Sequence, residues 1–307
     1  MSHSASFPIS RLSIDWVRAW SMAMTIVATG AITGMALFLV IGAIPALRHE
    51  GIAFFTTADW SYRNGSFGAA AMIWGTCVVT VVALLIATPI GIGASLFLSE
   101  IAPRRIRMGL KVIIELLAGI PSVVYGLLGV LYLRNWIATL YERTGWSVWS
   151  GDTLLTAGIL LAVMILPTLT TFADDAFQSV PARDREAGRG LGMTRWETTR
   201  RIVIPKAFPG FIAATMLATG RALGETIAVF LVVGRADNRT DGFLSTLTAP
   251  GQTITSKLGG AEPNIAVGDP LHSSAILALG LVLAFGVLLL VGMADLLRHR
   301  ATGEGTR

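Results

Sequence analysis

The sequence predicts an all-α membrane protein that crosses the bilayer six times. Of its 307 residues, 53% are hydrophobic and only 14% are charged, whereas soluble domains carry about 25% charged residues. Six apolar stretches reach or approach the length of about 20 residues that a helix needs to span the hydrocarbon core. Lysine and arginine are concentrated in alternate connecting segments, which is typical of multi-spanning proteins.

The six predicted spans follow from apolar length. They cover about Met22–Leu47, Ala69–Leu98, Val112–Leu133, Leu154–Phe172, Pro209–Gly234 and Ser273–Leu297. The first is too long for the apolar part of a signal peptide and no small-residue cleavage site follows it, so we expect a retained helix. Prolines within the spans are tolerated because neighbouring helices satisfy the carbonyl groups that proline leaves free.

The distribution of basic residues predicts the orientation. Of the 24 lysines and arginines, sixteen lie in the first, third, fifth and seventh segments outside the spans, seven lie in the other three segments, and Arg221 lies within a span. Basic residues concentrate in cytoplasmic loops, so both termini are expected in the cytoplasm and the chain in a bacterial inner membrane. This pattern accounts for the net charge of +5 without nucleic acid as a partner.

Aromatic and polar residues on the outer side allow fewer conclusions. Four tryptophans there fit an interfacial belt: Trp60, Trp136, Trp146 and Trp149. The long polar segment from about Arg235 to His272 could dock a soluble partner or merely link two spans. Cys77, in an apolar run, is expected to be a small buried hydrophobe, and the four scattered histidines predict no metal site.

The loop over residues 179–206 is the most informative part of the chain. Ser179 is expected to cap a first short helix, in which Asp184 and Glu186 favour the positive end of the helix dipole. Three glycines are expected to break this helix: Gly188, Gly190 and Gly192.

A second short helix is expected after the glycines. Thr194 followed by Glu197 forms a capping box at its start, and the helix is expected to run through Ile202 and stop near Pro205. The loop is therefore predicted to be a rigid, bent pair of helices on the cytoplasmic face.

The spacing in this loop resembles that of the permeases of ABC importers. Their loop has the form E-A-A, three residues, G, nine residues, I, any residue, L-P, and this chain has E-A-G, G and I-V-I-P at the same intervals. By this resemblance the loop is the coupling helix that inserts into a cytoplasmic ATPase, whereas basic charge alone would favour a solvated loop. The residues assigned to ATPase coupling are Glu186, Ala187, Gly188, Gly192, Thr194, Ile202 and Pro205.

Two ionisable residues lie within the fifth predicted span. Arg221 and Glu225 are four residues apart and are expected to share one helical face. A charge near the bilayer centre costs about 2.5–3.5 kcal/mol on insertion scales, so the pair is either a structural salt bridge or a functional site. A guanidinium binds two oxygens of an oxyanion at once. Arg221 is therefore a candidate anion ligand, with Glu225 expected to hold it when the site is empty.

The run R-A-L-G-E-T-I-A-V that begins at Arg221 resembles the signature of phosphate-specific ABC permeases, in particular of PstC-type subunits. The run P-I-G-I-G from Pro89 and the run I-P-S-V-V-Y-G from Ile120 resemble other parts of that family. The resemblance extends from about Phe67 to the end of the sixth span and implies the type I importer, or MetI-like, permease fold.

By the same resemblance, Arg221 and Glu225 line the pathway for phosphate, and Thr226 adds a hydroxyl. Ser122 is a weaker candidate, because a hydroxyl beside Pro121 more often bonds back to its own helix. The implied partners are a PstA-type sister permease, a dimeric PstB-type ATPase and a periplasmic PstS-type phosphate-binding protein. The chain has no G-x-x-x-x-G-K-[ST] phosphate loop. We therefore expect no catalytic residue, metal or cofactor in it, and ATP and Mg²⁺ on the ATPase.

Two further groups of charges lie near the predicted inner ends of spans. Lys111 and Glu115 are four residues apart and are expected to form a surface pair. Asp174 and Asp175 are expected to be solvated residues that lead into the coupling loop.

The resemblance divides the chain into three segments. Residues 1–68 hold an N-terminal cytoplasmic segment, the first span and an outer loop. Residues 69–297 form a five-helix permease core that carries the coupling loop, and residues 298–307 form a cytoplasmic tail.

Three alternatives remain open at this point. A permease for sulfate, molybdate or phosphonate would share most of these features. A gradient-driven secondary transporter would need no ATPase-docking loop and often shows paired repeats, which are not evident here. A membrane enzyme would need clustered acid, base or metal ligands, and one Arg–Glu pair is too little.

Overall fold

A computed structural model of the chain describes residues 11–143, 150–236 and 243–303. Within these ranges, six helical segments are long and apolar enough to cross a membrane: Trp16–Glu50, Ala70–Ile101, Ser122–Arg143, Leu154–Gln178, Arg195–Gly224 and Pro270–Met293. The predicted all-α fold with six spans is confirmed. The predicted interfacial residues Trp146 and Trp149 lie outside the described residues.

We number the described helices along the chain. They are α1 (Arg11–Glu50), α2 (Ala53–Thr56), α3 (Ala70–Leu96), α4 (Arg104–Ala118), α5 (Ser122–Leu128), α6 (Arg134–Arg143), α7 (Leu154–Gln178), α8 (Ala182–Gly190), α9 (Arg195–Thr198), α10 (Ile204–Gly224), α11 (Ile227–Val232), α12 (Phe243–Thr248), α13 (Ile254–Leu258), α14 (Glu262–Ile265) and α15 (Pro270–Gly303). Turns of π-helix follow α3, α5 and α9, at Phe97–Ile101, Gly129–Leu133 and Thr199–Val203. One antiparallel hairpin joins β1 (Trp60–Ser61) to β2 (Ser66–Phe67).

The core of the protein lies around α7, which packs along α3 and against α10. Small residues allow the close approach of these helices. A Cβ atom at Gly158 of α7 would lie 2.6 Å from Val82 Cγ1, and one at Gly91 of α3 would lie 2.9 Å from Leu169 Cδ2. The first span, α1, lies outside this core and packs mainly against α15. Cys77 of α3 is exposed, so the expectation of a buried cysteine is wrong.

The third span begins later than predicted. The apolar residues from Val112 belong to α4, a separate helix of fifteen residues, all described and none buried. The span itself starts at Ser122, because Pro121 disfavours helical backbone in the residue before it. The predicted span Val112–Leu133 therefore combined two separate helices, the end of α4 and the start of the third span, because it was based on apolar length alone.

The segment between the fifth and sixth spans folds back into the bundle. In α13, the residues Ile254 to Lys257 are all buried, and the Ile254 amide donates to Thr76 Oγ1 of α3 at 2.9 Å. A capping box between Thr253 and Ser256 satisfies the polar groups at the start of α13. Residues 237–242 of this segment lie outside the described ranges. The polarity of residues 251–257 therefore reflects internal hydrogen bonding, whereas many residues of 259–270 are exposed.

A cluster around Glu262 joins this segment to the hairpin and to α15. The Glu262 carboxylate lies 3.1 Å from Lys257 Nζ and 2.9 Å from His272 Nε2, and it accepts a hydrogen bond of 3.2 Å from Trp60 Nε1. Burial alone would raise the pKa of the Glu262 carboxyl, but the charge of Lys257 and the hydrogen bonds with Lys257, Trp60 and His272 lower that pKa below its ordinary value. Trp60 is therefore part of a folded cluster.

We expect Glu262→Gln to lower the free energy of unfolding by about 2 kcal/mol at pH 7, because hydrogen bonds to a charged group contribute about 1.5–3 kcal/mol. A carboxyl whose pKa is lowered by folding stabilises the protein above its unfolded pKa of about 4.3, and this contribution is lost as the pH falls through the folded pKa. The difference between wild type and variant should therefore shrink below about pH 4 in thermal unfolding followed by near-UV circular dichroism. The control is Glu142→Gln, at an exposed position of α6. If Glu262→Gln lowered the free energy of unfolding equally at pH 7 and below about pH 4, the stabilising role of the charged Glu262 carboxylate would be contradicted.

Candidate functional site

The fifth span is broken at Glu225. Helix α10 ends at Gly224, Glu225 has extended backbone with ψ 119°, and α11 begins only at Ile227. The predicted continuous span over Pro209–Gly234 is therefore wrong. Irregular backbone at membrane depth is tolerated only where it is buried in protein or lines a water-filled cavity, and broken helices often form the substrate sites of transporters.

Local side chains support this break. Glu225 Oε1 accepts a hydrogen bond of 3.3 Å from the Ala228 amide, and Thr226 Oγ1 donates to the Gly224 carbonyl at 3.3 Å. Gly259, just after α13, lies so close that a Cβ atom on it would be 2.2 Å from Thr226 Cγ2. This re-entrant segment, residues 251–259, closes the break from one side, and no local sequence pattern predicts that contact.

Arg221 is exposed on the last turn of α10. Its Nη1 donates to Thr168 Oγ1 of α7 at 2.7 Å. Because α10 ends before Glu225, the expected shared helical face is wrong. Within the described residues, Arg221 donates to Thr168 Oγ1, whereas Glu225 accepts from the Ala228 amide. A charged side chain is not stable against lipid. This face of the chain must therefore meet water or a protein neighbour.

The other predicted pathway residues are placed differently. Thr226 lies at the break beside Glu225, as described above. Ser122 begins α5, which packs on α11 where a Cβ atom at Gly126 would lie 3.0 Å from Ala228 Cα. Within the described residues, no hydrogen bond joins Ser122 to Arg221 or Glu225. The structure thus brings Glu225 and Thr226 together one helical turn after Arg221 and leaves Ser122 on a neighbouring helix.

The first helix of the predicted coupling loop is α8, which begins at Ala182 with Pro181, and not Ser179, in the N-cap position. Ser179 instead ends α7, and its Oγ donates to the Ala176 carbonyl at 2.7 Å. The prediction of a Ser179 cap is wrong because α7 extends to Gln178, beyond its predicted end at Phe172. Gly188 also does not break α8, since it lies within the helix.

The glycine bend occurs at Gly192, whose φ of +82° favours glycine. The Gly192 amide donates to the Arg189 carbonyl at 3.0 Å, and the Met193 amide donates to the Gly188 carbonyl at 3.2 Å. These two bonds form a Schellman motif that ends α8. The predicted bend is confirmed, with one glycine rather than three responsible for it.

The predicted capping box is also confirmed. The Glu197 amide donates to Thr194 Oγ1 at 3.2 Å, and the Thr194 amide donates to Glu197 Oε2 at 2.8 Å. The helix that begins here does not stop near Pro205, however, because a π-helical turn carries it directly into α10. The wider turn accommodates the proline, which lacks an N–H group.

Close packing holds α8 against the start of the fifth span. A Cβ atom on Gly188 would lie 2.8 Å from Ile202 Cδ1 and 3.0 Å from Thr198 Cγ2. Lys206 Nζ and Asp184 Oδ2 add an ion pair at 2.7 Å. Where the E-A-A pattern of the related loops has its second alanine, this chain has Gly188. The glycine therefore permits a tighter contact between α8 and the start of the fifth span.

Glu100, at the C-terminal end of the second span, connects the predicted coupling loop to the core. Its carboxylate pairs with Arg185 of α8, and it accepts a longer hydrogen bond of 3.4 Å from Thr199 Oγ1. Arg185 also donates to the Phe177 carbonyl at 2.6 Å. Sequence reasoning missed this contact because Glu100 and Arg185 are 85 residues apart and no local pattern relates them.

The expectation of a solvated Asp174 is wrong. Its side chain is only 3% exposed and pairs with Lys111 and Arg107 of α4, the latter at 3.6 Å between Nη2 and Oδ1. The expected pair of Lys111 with Glu115 does not form within the described residues, because Lys111 bonds to Asp174 instead. Asp175 is exposed, as expected.

Comparison with known proteins decides the family. Residues 87–303 match the family described as binding-protein-dependent transport system inner membrane component. The chain is 38% identical over 290 residues to the phosphate transport system permease protein PstC of Mesorhizobium japonicum, covering 90% of this chain and 87% of that protein. It is 36% identical over 275 residues to the probable ABC transporter permease protein YqgH of Bacillus subtilis, covering 89% of this chain and 84% of that protein. This chain belongs to that family of permease components.

Solved structures agree with this fold. The permease resembles a chain of a bacterial ABC transporter involved in the import of the acidic polysaccharide alginate, with a TM-score of 0.55 and 19% identity, covering 95% of this chain and 99% of that chain. It also resembles a chain of the MetNI methionine ABC transporter, with a TM-score of 0.56 and 17% identity over 74% of this chain and 93% of that chain. At these identities the likeness shows the fold alone, and it confirms the predicted MetI-like architecture.

Family membership settles several coarser expectations. The protein is a multi-pass membrane permease of an ABC importer, and the predicted resemblance to PstC-type permeases is confirmed. A permease of this family implies an ATPase, a substrate-binding protein and a second permease subunit as partners.

We expect Gly192→Ala to weaken the end of α8, because a residue with a side chain pays about 1–2 kcal/mol for left-handed backbone. Amide hydrogen exchange over residues 190–194 should become about 5- to 30-fold faster. The control is Gly190→Ala, where a Cβ atom meets open space and the exchange should not accelerate. Equal exchange rates in the two variants would show that the bend does not depend on Gly192.

Proposed function

We propose that this permease conducts inorganic phosphate across a bacterial inner membrane, driven by a separate ATPase. One observation supports it above all: an exposed arginine, Arg221, stands one turn before a break in a membrane-spanning helix. The family relatives that carry the name PstC are described as phosphate transport permeases, which favours phosphate over sulfate, molybdate or phosphonate.

Arg221 is suited to receive an oxyanion. A guanidinium has five N–H donors, and the neutral hydroxyl of Thr168 accepts one of them at 2.7 Å. The planar fork still offers two parallel donors to two phosphate oxygens, and its charge does not depend on pH in the physiological range.

Glu225 and Thr226 supply the second side of the proposed site. Hydrogen phosphate carries a proton that it can donate to the Glu225 carboxylate, whereas sulfate has no proton to donate at neutral pH. The carboxylate therefore repels a fully ionised anion and accepts a protonated one. Thr226 adds a hydroxyl beside it, and Ser122 is a weaker contributor from α5.

Movement is supplied from the cytoplasmic side in this proposal. Helix α8, with Glu186, Ala187 and Gly188, inserts into a cleft of a dimeric PstB-type ATPase. The bend at Gly192 and the helix from Thr194 through Ile202 and Pro205 then carry the movement into the fifth span.

ATP and Mg²⁺ are bound by that ATPase, and this chain performs no catalysis. A PstA-type sister permease completes the pathway and a periplasmic PstS-type protein delivers phosphate. Both termini of this chain face the cytoplasm.

We expect Arg221→Lys to leave assembly with the ATPase intact and to lower phosphate uptake about 10- to 100-fold. Lysine keeps the charge but loses the bidentate bond, which corresponds to about 1.5–3 kcal/mol. The measurement is uptake of labelled phosphate by proteoliposomes that contain the assembled transporter, with Arg63→Lys on the outer hairpin as the control.

Two results would contradict this proposal. Normal uptake by the Arg221→Lys transporter would exclude the pathway role of the guanidinium. Competition of unlabelled sulfate or molybdate with labelled phosphate at equal concentration would show that the pathway selects oxyanions in general.

A further inference from the structure

The helix α4 contacts the bundle through charged residues and through the partly buried apolar residue Ile114. None of its fifteen residues is buried, yet it lies against α7. Lys111 and Arg107 of α4 both reach Asp174 of α7. A cavity of about 20 Å³ remains between the two helices, beside Lys111 and Asp174. The ion pairs with Asp174 therefore link α4 to α7 beside a space that side chains leave unfilled.

Asp174 is an unusual residue to bury. Its side chain is 3% exposed, whereas the side chain of Lys111 is 35% exposed. Removal of a carboxylate from water is costly unless its partners compensate for the lost hydration, and here Gln178 Nε2 also donates to Asp174 Oδ2, at 2.6 Å. An apolar residue at this position would pack against α4 without that cost. A fixed and directional contact is therefore what the carboxylate adds.

Asp174 lies close to the coupling loop. It is one turn from the end of α7 at Gln178, and α8 begins at Ala182. Between them, the Ser179 amide bonds to the Asp175 carbonyl at 2.9 Å, and Arg185 of α8 bonds back to the Phe177 carbonyl at 2.6 Å. Arg185 therefore ties the coupling helix α8 to the inner end of α7.

The other end of α4 leads to the candidate anion site. The Tyr125 hydroxyl of α5 donates to the Leu117 carbonyl of α4 at 2.9 Å. One residue later, Gly126 lies against Ala228 of α11, and the Ala228 amide is the group that Glu225 binds. A displacement of α4 is thus carried through α5 to the break in the fifth span.

We propose that the Asp174–Lys111 ion pair is a positioning contact through which movement of the coupling loop reaches the third span and the break at Glu225. This inference rests on the proposed function, since it assigns a mechanical role within the same transport cycle. Asp174 binds neither phosphate nor ATP in this role, and it acts through α4.

The test is the number of phosphate ions transported per ATP hydrolysed by the assembled transporter, with its sister permease, ATPase and binding protein, in proteoliposomes. Asp174→Asn and Lys111→Met should each lower this ratio about tenfold, within the range found for residues that modulate coupling between sites. The double variant should be no worse than either single variant, because both remove one contact. The matched control is Asp175→Asn, at the exposed neighbouring position, which should keep the wild-type ratio.

Several outcomes would overturn the inference. The Lys111 side chain is about one-third exposed, so methionine can replace it without burying a new polar group. An unchanged ratio in Lys111→Met would therefore show that the pair transmits nothing. Transport and ATP hydrolysis that fall together, in proportion to the amount of assembled transporter, would show a purely structural role. Additive losses in the double variant would show two independent effects.

The same assay separates this inference from the proposed substrate. If the unaltered transporter fails to take up phosphate, the proposed function is wrong. The inference about Asp174 is then tested by the increase in ATP hydrolysis that the binding protein causes. The Asp174 and Lys111 variants should reduce this increase, and the Asp175 variant should not.

Discussion

The structure depends on one constraint, which is that a charge removed from water must have a partner. Asp174 has Lys111 and Arg107, Glu100 has Arg185, and Glu262 has Lys257 with two further donors. Each of these carboxylates joins elements that are distant in sequence. The same contacts that compensate for burial therefore fix how the coupling loop, α4 and the re-entrant segment are placed around α7.

Arg221 is the informative exception to that pattern. Within the described residues its hydrogen bond goes to the neutral hydroxyl of Thr168, and the guanidinium is exposed. Irregular backbone follows it at Glu225, and the re-entrant segment lies against Thr226. Both features are costly in lipid. A neighbouring protein chain or a water-filled path must accordingly cover this face, and an importer with two permease subunits offers both.

The sequence predicted what is periodic or local. Apolar length located six spans, the Thr194–Glu197 spacing located a capping box, and Gly192 located the bend. It did not predict what depends on tertiary partners. Asp174 looks solvated until α4 is seen beside it. The late start of the third span is a different case, because Pro121 is a local signal that apolar length alone does not register. Glu225 looks helical because nothing in the R-A-L-G-E-T run shows that Gly259 will occupy the space beside Thr226.

The arrangement at Arg221 also bears on how a site can be ready for an anion. If Glu225 held Arg221 in a salt bridge, phosphate would have to displace a carboxylate, and the strength of that pair at low dielectric would oppose binding. A neutral hydroxyl orients the guanidinium without cancelling its charge. Glu225 instead caps α11 at 3.3 Å from the Ala228 amide, so its negative charge is held by backbone. A small movement of α11, such as α5 can impose through Gly126, would then change the distance between the two charges and with it the affinity for an anion. Separate supports for the cation and the carboxylate are therefore what would allow mechanical movement to control binding.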